Sequence, residues 1–138
     1  MYMNVLVPID LAHKEQAGAM IRTALATSGD DARMTLLFVM PEIPPALGLE
    51  LPAGSAEQAQ ANAEEQLQEL AQSNDAPQST NIVTQVGRPH HKILEVAEQR
   101  GIDLIVMASH QPGLADYLLG SVAANVVRHA KCSVHVMR

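Results

Sequence analysis

The segment from Leu104 to Arg138 constrains the fold more than any other part of the chain, because one polar stretch joins two different secondary-structure patterns. Leu104–Met107 is an uninterrupted apolar run, which is typical of a strand covered on both faces. Gly120 and Ser121 then mark the start of a helix, where the Ser121 hydroxyl is predicted to cap a free backbone N–H. A strand that leads through a loop into a helix N-terminus favours an anion such as phosphate, because it presents unpaired N–H groups and a positive dipole end.

Strand and helix patterns alternate along the whole chain. Apolar runs predict strands, helical spacing of apolar residues predicts helices, and polar or glycine-containing stretches such as Ser28–Asp31 predict breaks. Five strands alternating with four helices indicate an α/β fold, with right-handed crossovers and a mostly parallel sheet covered by helices on both faces. The predicted strands are Met3–Val7, Met34–Met40, Thr80–Val86, Asp103–Ala108 and Ser133–Met137; the predicted helices are Lys14–Thr27, Ser55–Ser73 with Ser55 as its cap, His90–Gln99 ended by a left-handed Gly101, and the helix after Gly120 with Val122, Val126, Val127 and Ala130 on its buried face.

Composition narrows the class of protein. The chain has 138 residues, and we expect a single domain over residues 1–138. Its formal net charge is −6 and its aromatic residues are two tyrosines and one phenylalanine, so we expect no nucleic-acid partner. We expect no membrane span and no signal peptide, because no apolar run is long enough and the first residues carry no basic region. With Cys132 as the one cysteine, a cytoplasmic location is expected.

Motifs of several enzyme classes do not occur in the sequence. There is no G-x-x-x-x-G-K-[ST] phosphate loop, no G-x-G-x-x-G fingerprint and no G-x-S-x-G elbow. The six histidines do not combine with Cys or Glu at metal-ligand spacing, so we predict no metal site made by the protein alone. No nucleophile has a recognisable base beside it, and we assign no catalytic residue.

Five short motifs follow one another in a characteristic order. They are VLVPID at Val5–Asp10, VGRP at Val86–Pro89, ASHQP at Ala108–Pro112, LLGS at Leu118–Ser121 and VVRHA-x-CSV at Val126–Val134. Together they resemble the universal stress protein family over the length of the chain, most closely its F/G-type bacterial branch. The resemblance implies a Rossmann-like open five-stranded parallel sheet of order 3-2-1-4-5. Strands one and four would then flank the switch point, where ligands bind outside the carboxyl ends of the strands.

The resemblance also implies a nucleotide site and a partner. The expected cofactor is ATP, with Mg²⁺ held through the nucleotide and Asp10, in a stress-response protein without fast turnover. The last strand mediates dimers in the family, so a homodimer or larger assembly through Ser133–Met137 is implied. The implied nucleotide-binding residues are Pro8, Ile9, Asp10, Val39, Met107, Ala108, Ser109, His110, Gln111, Gly120, Ser121 and Val122.

The predicted phosphate loop departs from the Gly-x2-Gly-x9-Gly-Ser/Thr pattern of nucleotide-binding relatives. Ala108 and Gln111 stand at the first two glycine positions, and the eight residues 112–119 precede Gly120 where the family has nine. Side chains there hinder the approach of phosphate to the backbone, although the Gln111 amide can itself donate a hydrogen bond. Two other functions therefore stay open: a dimeric interaction module of the same fold that binds no nucleotide, and a slow ATPase.

Three features have a second interpretation. Asp10 can contact ribose or Mg²⁺, or it can cap the first helix. His110 can donate to a phosphate or lie exposed in its loop. The proline-rich stretch 40–54 can be a functional lid, an interface element or a mobile surface loop.

Overall fold

The computed structural model describes residues 1–42, 52–109 and 119–138. The strands all pair in parallel, in the order β3-β2-β1-β4-β5, which confirms the predicted α/β fold and strand order. None of the helices described is long and apolar enough to cross a lipid bilayer. The elements are β1 (Tyr2–Pro8), a short 3₁₀ helix (Lys14–Gln16), α1 (Ala17–Thr27), β2 (Ser28–Met40), α2 (Ser55–Ser73), β3 (Asn81–Val86), α3 (Pro89–Gln99), β4 (Leu104–Ala108), α4 (Ser121–His129) and β5 (Ser133–Met137).

Each face of the sheet packs against one pair of helices. Val5 and Val7 of β1 belong to the apolar cluster that contains residues of α1 and α2, whereas Leu6 between them belongs to the cluster of α3 and α4. All three side chains are fully buried. A strand that buries both faces needs apolar residues at every position, which explains the continuous apolar runs of the sequence.

The start of β2 differs from the prediction. Ser28–Asp31 was expected to be a break, but β2 begins at Ser28, which pairs with Tyr2 of β1 before an irregularity leads to the Asn4–Arg33 pair. The Ser28 hydroxyl also donates to the Ala24 carbonyl in the last turn of α1. Pairing with a neighbouring strand therefore overrides the turn-forming composition of this stretch.

Two predictions about helices are also wrong. Helix α2 begins at Ser55 as its first helical residue, because the cap position belongs to Gly54 in a left-handed conformation, with no side-chain cap. Val127 of α4 is 46% exposed, whereas Ala123 and Val126 are buried. The predicted stripe is therefore confirmed for Val126 and for Val122 and Ala130, which pack against the same apolar cluster, but it is wrong for Val127.

The predicted end of α3 at Gly101 is confirmed. Gly101 has φ +62°, its N–H donates to the Glu98 carbonyl at 3.3 Å, and the Ile102 N–H donates to the Ala97 carbonyl at 2.9 Å. These two bonds form a Schellman motif, which glycine favours because its left-handed backbone carries no Cβ penalty.

Candidate functional site

A crevice of about 550 Å³ opens at the carboxyl ends of the central strands. The chain runs from β1 outward to β2 and β3 and then returns to β4 on the other side of β1, so the loops after β1 and β4 diverge at this point. His110 and Gln111 lie outside the described residues, as does the stretch 43–51 of the proline-rich loop. Every other predicted site residue lines the crevice: Pro8, Ile9, Asp10, Val39, Met107, Ala108, Ser109, Gly120, Ser121 and Val122.

One wall of the crevice is apolar. Ile9 and Met107 are almost fully buried, and Val39 of β2 packs against the same apolar cluster as Met107. The Ile9 N–H donates to the Leu37 carbonyl at 2.8 Å, which continues the pairing of β1 with β2 past Pro8 and holds Ile9 in place. An apolar wall with a few polar groups beside it is typical of small-molecule sites.

The N-terminus of α4 also lines the crevice. Gly120 occupies the cap position with φ −63° and ψ 160°, and no side chain caps the helix. The Ala124 N–H is the first that reaches a carbonyl of the helix, that of Gly120 at 2.9 Å. Among the residues described, the N–H groups of Ser121, Val122 and Ala123 therefore have no partner. Ser121 is the first helical residue and not the predicted cap. N–H groups that lack a partner among the described residues, together with the helix dipole, favour an anion.

Two short backbone hydrogen bonds hold this helix start beside the end of β4. The Gly120 N–H donates to the Ser109 carbonyl at 2.6 Å, and the Ser109 N–H donates to the Met137 carbonyl at 2.7 Å. Ser109 is 2% exposed and lines the crevice. The position of the free N–H groups relative to β4 is consequently set by the backbone itself.

Asp10 closes a tight turn at the mouth of the crevice. Its Oδ1 accepts a hydrogen bond from the Ala12 N–H at 3.0 Å, and its carbonyl accepts one from the His13 N–H at 2.9 Å. The interpretation of Asp10 as a helix cap is wrong, because the 3₁₀ helix is preceded by His13 and α1 by Gln16. Oδ2 lies 4.0 Å from His13 Nε2, and the Asp10 side chain is 48% exposed. An exposed carboxylate oxygen is suited to a hydroxyl group or a hard cation.

The crevice also includes residues that the sequence reasoning missed. They are distributed over several elements, among them His13 just before the 3₁₀ helix, Gln16 at its end, Met20 of α1 and Pro89 at the start of α3. His13 could have been predicted from the sequence, since it is a polar residue three positions after Asp10, in the loop that follows the first predicted strand. Met20 and Pro89 carried none, because their helical patterns only indicate burial or a helix start.

A group of basic side chains lies outside this lining. The ring centroids of His90 and His91 are 4.3 Å apart. Burial lowers the pKa of His90, and the positive charges of His91, Arg88 and His129 lower it further. Within the described ranges, no three His, Cys, Asp or Glu side chains come together to hold a metal ion.

Comparisons of this chain with known proteins identify relatives that match over its whole length. The model of the universal stress protein family matches residues 1–138. Universal stress protein G of Escherichia coli O157:H7 is 32% identical over 143 residues, with both chains covered completely. The solved structure of hypothetical protein MJ0577 of Methanocaldococcus jannaschii is similar with a TM-score of 0.81 and 27% identity, covering 99% of this chain and 96% of its own.

Two solved structures with a bound nucleotide share the fold at lower identity. A universal stress protein in complex with cAMP has a TM-score of 0.68 and 22% identity, covering 99% of this chain and 97% of its own. A family member from Arabidopsis thaliana with AMP bound has a TM-score of 0.62 and 18% identity, covering 98% of this chain and 90% of its own.

Proposed function

The chain belongs to the universal stress protein family, and we propose that it binds an adenine nucleotide, with ATP as the expected form, in the crevice between β1 and β4. The observation that carries the proposal is the uncapped start of α4. The N–H groups of Ser121, Val122 and Ala123 have no partner among the residues described, so they would be available to the phosphates. Relatives solved with cAMP and with AMP support an adenine nucleotide as the ligand.

The walls of the crevice suggest how the nucleotide would lie. Its volume of about 550 Å³ falls within the range of small-molecule sites. The apolar wall of Ile9, Val39 and Met107 would receive the adenine ring, and the exposed Asp10 carboxylate would contact ribose. The phosphates would then reach the N-terminus of α4. A magnesium ion would be held by the phosphates together with Asp10, where it would offset the negative charge of both.

We infer that the nucleotide is held and sensed, and not rapidly hydrolysed. Catalysis of phosphoryl transfer requires a group that positions the attacking nucleophile and cations that stabilise the transition state. The described lining residues include neither lysine nor arginine, and their one carboxylate, Asp10, is engaged through Oδ1 in its own turn. Such a site is suited to a regulatory protein whose conformation or partners respond to nucleotide.

Thermal melting and calorimetry with Mg-ATP test the proposal. Ligand at a hundredfold its dissociation constant should add about 2.7 kcal/mol to the free energy of unfolding. Gly120→Val combined with Ser121→Ala should abolish this shift, since Gly120 and Ser121 both line the crevice and valine adds bulk to that lining. Melting of the variant without nucleotide controls for folding. No shift for the parent protein at millimolar ATP would contradict the proposal and leave a dimeric interaction module.

A steady release of phosphate from ATP would indicate a different outcome, the slow ATPase. The rate should then be compared with that of Asp10→Asn, which retains the size of the side chain but removes its charge. Loss of phosphate release in this variant would assign turnover to the crevice, whereas an unchanged rate would show that phosphate release does not depend on the charge of Asp10.

We propose in addition that β5 pairs with β5 of a second copy. β5 lies at one edge of the sheet, where it pairs with β4 alone. The Met137 carbonyl points toward β4, so the N–H and C=O of Val136 point to the open edge. Light scattering should report a dimer, and Val136→Pro should give a monomer because proline removes an outward N–H. A monomeric parent protein at micromolar concentration would contradict this proposal.

A further inference from the structure

A second cavity, which we call the polar pocket, lies at the opposite end of the sheet from the crevice. Its volume is about 240 Å³. Six residues line it: Asn4, Arg33, Thr35, Asn81, Arg100 and Ile102. Asn4 near the start of β1 lies opposite Arg33 of β2, and Thr35 lies opposite Asn81, the first residue of β3. The polar pocket is therefore built at the amino ends of parallel strands, whereas the crevice opens at their carboxyl ends.

The lining of the polar pocket is cationic. Arg33 of β2 and Arg100, which follows α3, are both exposed, and the described lining includes no acidic residue. Neither arginine forms an ion pair with a carboxylate in the part of the chain that the structure describes. Two arginines that share one cavity and lack a carboxylate partner attract an anion, even though the formal net charge of the chain is −6.

Thr35 adds a buried polar group to this lining. Its exposed fraction is 3%, and Ser109, which lines the crevice, is the other buried polar residue among those described. The Thr35 side chain makes no hydrogen bond within the described ranges, so its hydroxyl is available to a ligand. A hydroxyl in this position is suited to donate to a ligand oxygen.

Acceptors beside the polar pocket are already bonded to protein donors. Asp103 accepts hydrogen bonds from the Met3 N–H through Oδ2 and from the Asn4 N–H through Oδ1, both at 2.9 Å. The Gly101 carbonyl accepts one from Asn4 Nδ2 at 3.2 Å, and the Schellman motif occupies carbonyls in the last turn of α3. The arginines are consequently not needed to satisfy these acceptors, and their N–H groups remain for a ligand.

We propose that the polar pocket binds a small phosphate dianion, either free phosphate or the phosphate group of a small monoester. Guanidinium groups donate paired hydrogen bonds that match the oxygens of a phosphate. The volume of about 240 Å³ lies below the range of drug-sized ligands, and Ile102 is the one apolar residue of the described lining, so a nucleobase would find neither space nor an apolar wall. This proposal does not depend on nucleotide binding in the crevice.

Amide chemical shifts recorded during a titration with inorganic phosphate test the location of the site. At about pH 8, above the second pKa of phosphate groups, the ligand is a dianion, and sodium chloride keeps the ionic strength constant. We expect saturable shifts of the Asn4, Thr35 and Asn81 amides, and no saturable shift with sodium chloride alone. A parallel titration with glycerol 3-phosphate distinguishes the two sources, because the lower dissociation constant identifies the preferred one. Saturable shifts confined to the start of α4, or none at all, would overturn the proposal.

Charge-removing variants test the two arginines. Arg33→Gln and Arg100→Gln each remove a charged donor, so each should raise the dissociation constant of phosphate by about tenfold or more. Arg128→Gln is the matched control, because it removes the same charge from an exposed arginine of α4 that lines neither cavity; it should bind phosphate as the parent protein does. Urea denaturation establishes that all three variants are folded.

Three results of this comparison would contradict the assignment. An equal loss of affinity in all three variants would show that phosphate responds only to net charge. Parent-like affinity in folded Arg33→Gln and Arg100→Gln would show that neither arginine contacts the ligand. Succinate, a dicarboxylate of the same charge, should bind less tightly than phosphate, and the reverse order would overturn the choice of phosphate as the ligand.

Discussion

Ser121→Pro would remove the backbone N–H of Ser121, together with its hydroxyl, from the crevice while leaving the helix that supplies them intact. Ser121 is the first residue of α4, a position that favours proline because its N–H has no partner within the helix. The residue before a proline must be extended, and Gly120 already has φ −63° and ψ 160°. The chain uses the same arrangement at the start of α3, where Arg88 with φ −78° and ψ 129° precedes Pro89.

The expected effects on affinity and on stability have opposite signs. A hydrogen bond to a charged group contributes about 1.5–3 kcal/mol, so the loss of the Ser121 N–H should weaken Mg-ATP binding roughly 10- to 150-fold. Proline also restricts the unfolded chain, and at a compatible position this raises the free energy of unfolding by about 0.4–1 kcal/mol. A protein that is at least as stable but binds nucleotide much less tightly cannot be explained by misfolding.

Calorimetry with Mg-ATP measures the affinity, and urea denaturation without nucleotide measures the stability. Ser121→Ala is the matched control, because it removes the hydroxyl but retains the backbone N–H; we expect it to lose less than tenfold in affinity. If Ser121→Pro is folded and binds ATP as tightly as the parent protein, the phosphates do not contact this helix end and the assignment of the anion site is refuted.

Three further predictions concern the fold. Leu6 is fully buried in the central strand, so Leu6→Ala should lower the free energy of unfolding by about 2–5 kcal/mol. Urea denaturation measures this loss, and the m-value should not change. A loss below about 1 kcal/mol would contradict the observed packing of Leu6. Gly101→Ala should lower the free energy of unfolding by about 1–2 kcal/mol in the same assay. Gly101 has φ +62° and open space around it, so the loss would come from the backbone conformation and not from a steric clash. An unchanged urea midpoint would contradict the left-handed conformation. Burial and then the charges of His91 and Arg88 lower the pKa of His90 below 6.5. The unfolded state therefore binds the proton more readily, and His90 should reduce the free energy of unfolding as pH falls below 6.5. His90→Gln should make the urea midpoint depend less on pH between pH 7 and 5, and an equal slope in both proteins would contradict this assignment.

The substitution of glycine by Ala108 in the predicted phosphate loop has a structural explanation. Ala108 is the last residue of β4 and pairs with Met137 of β5. Among the described non-glycine residues, Asp75 alone has a positive φ, so the backbone of Ala108 needs no glycine. Ala108 lines the crevice, so its Cβ takes up space there, but it introduces no backbone strain.

Local patterns in the sequence determined the class of fold and the helix start at Gly120, whereas most residues of the candidate site came from the resemblance to a family. The runs at Val5–Val7 and Leu104–Met107 identify buried strands whatever their neighbours are, because a strand covered on both faces admits few polar residues. The strand order, by contrast, came from resemblance to a family, since periodicity does not report which strands are neighbours. Given that order, the residues that follow β1 and the described residues that flank the loop after β4 should line one crevice, and they do.

Only the tertiary structure decided the contacts that depend on the path of the chain. Ser28–Asp31 extends β2 because β1 offers it backbone partners, and no feature of its composition reveals them. The placement of His13 between Asp10 and Glu15 results from a turn and a short 3₁₀ helix that bring side chains to within 4.0 Å. Sequence patterns record burial and propensity, which are local properties, whereas pairing partners and the distances between charges are set by the folded backbone as a whole.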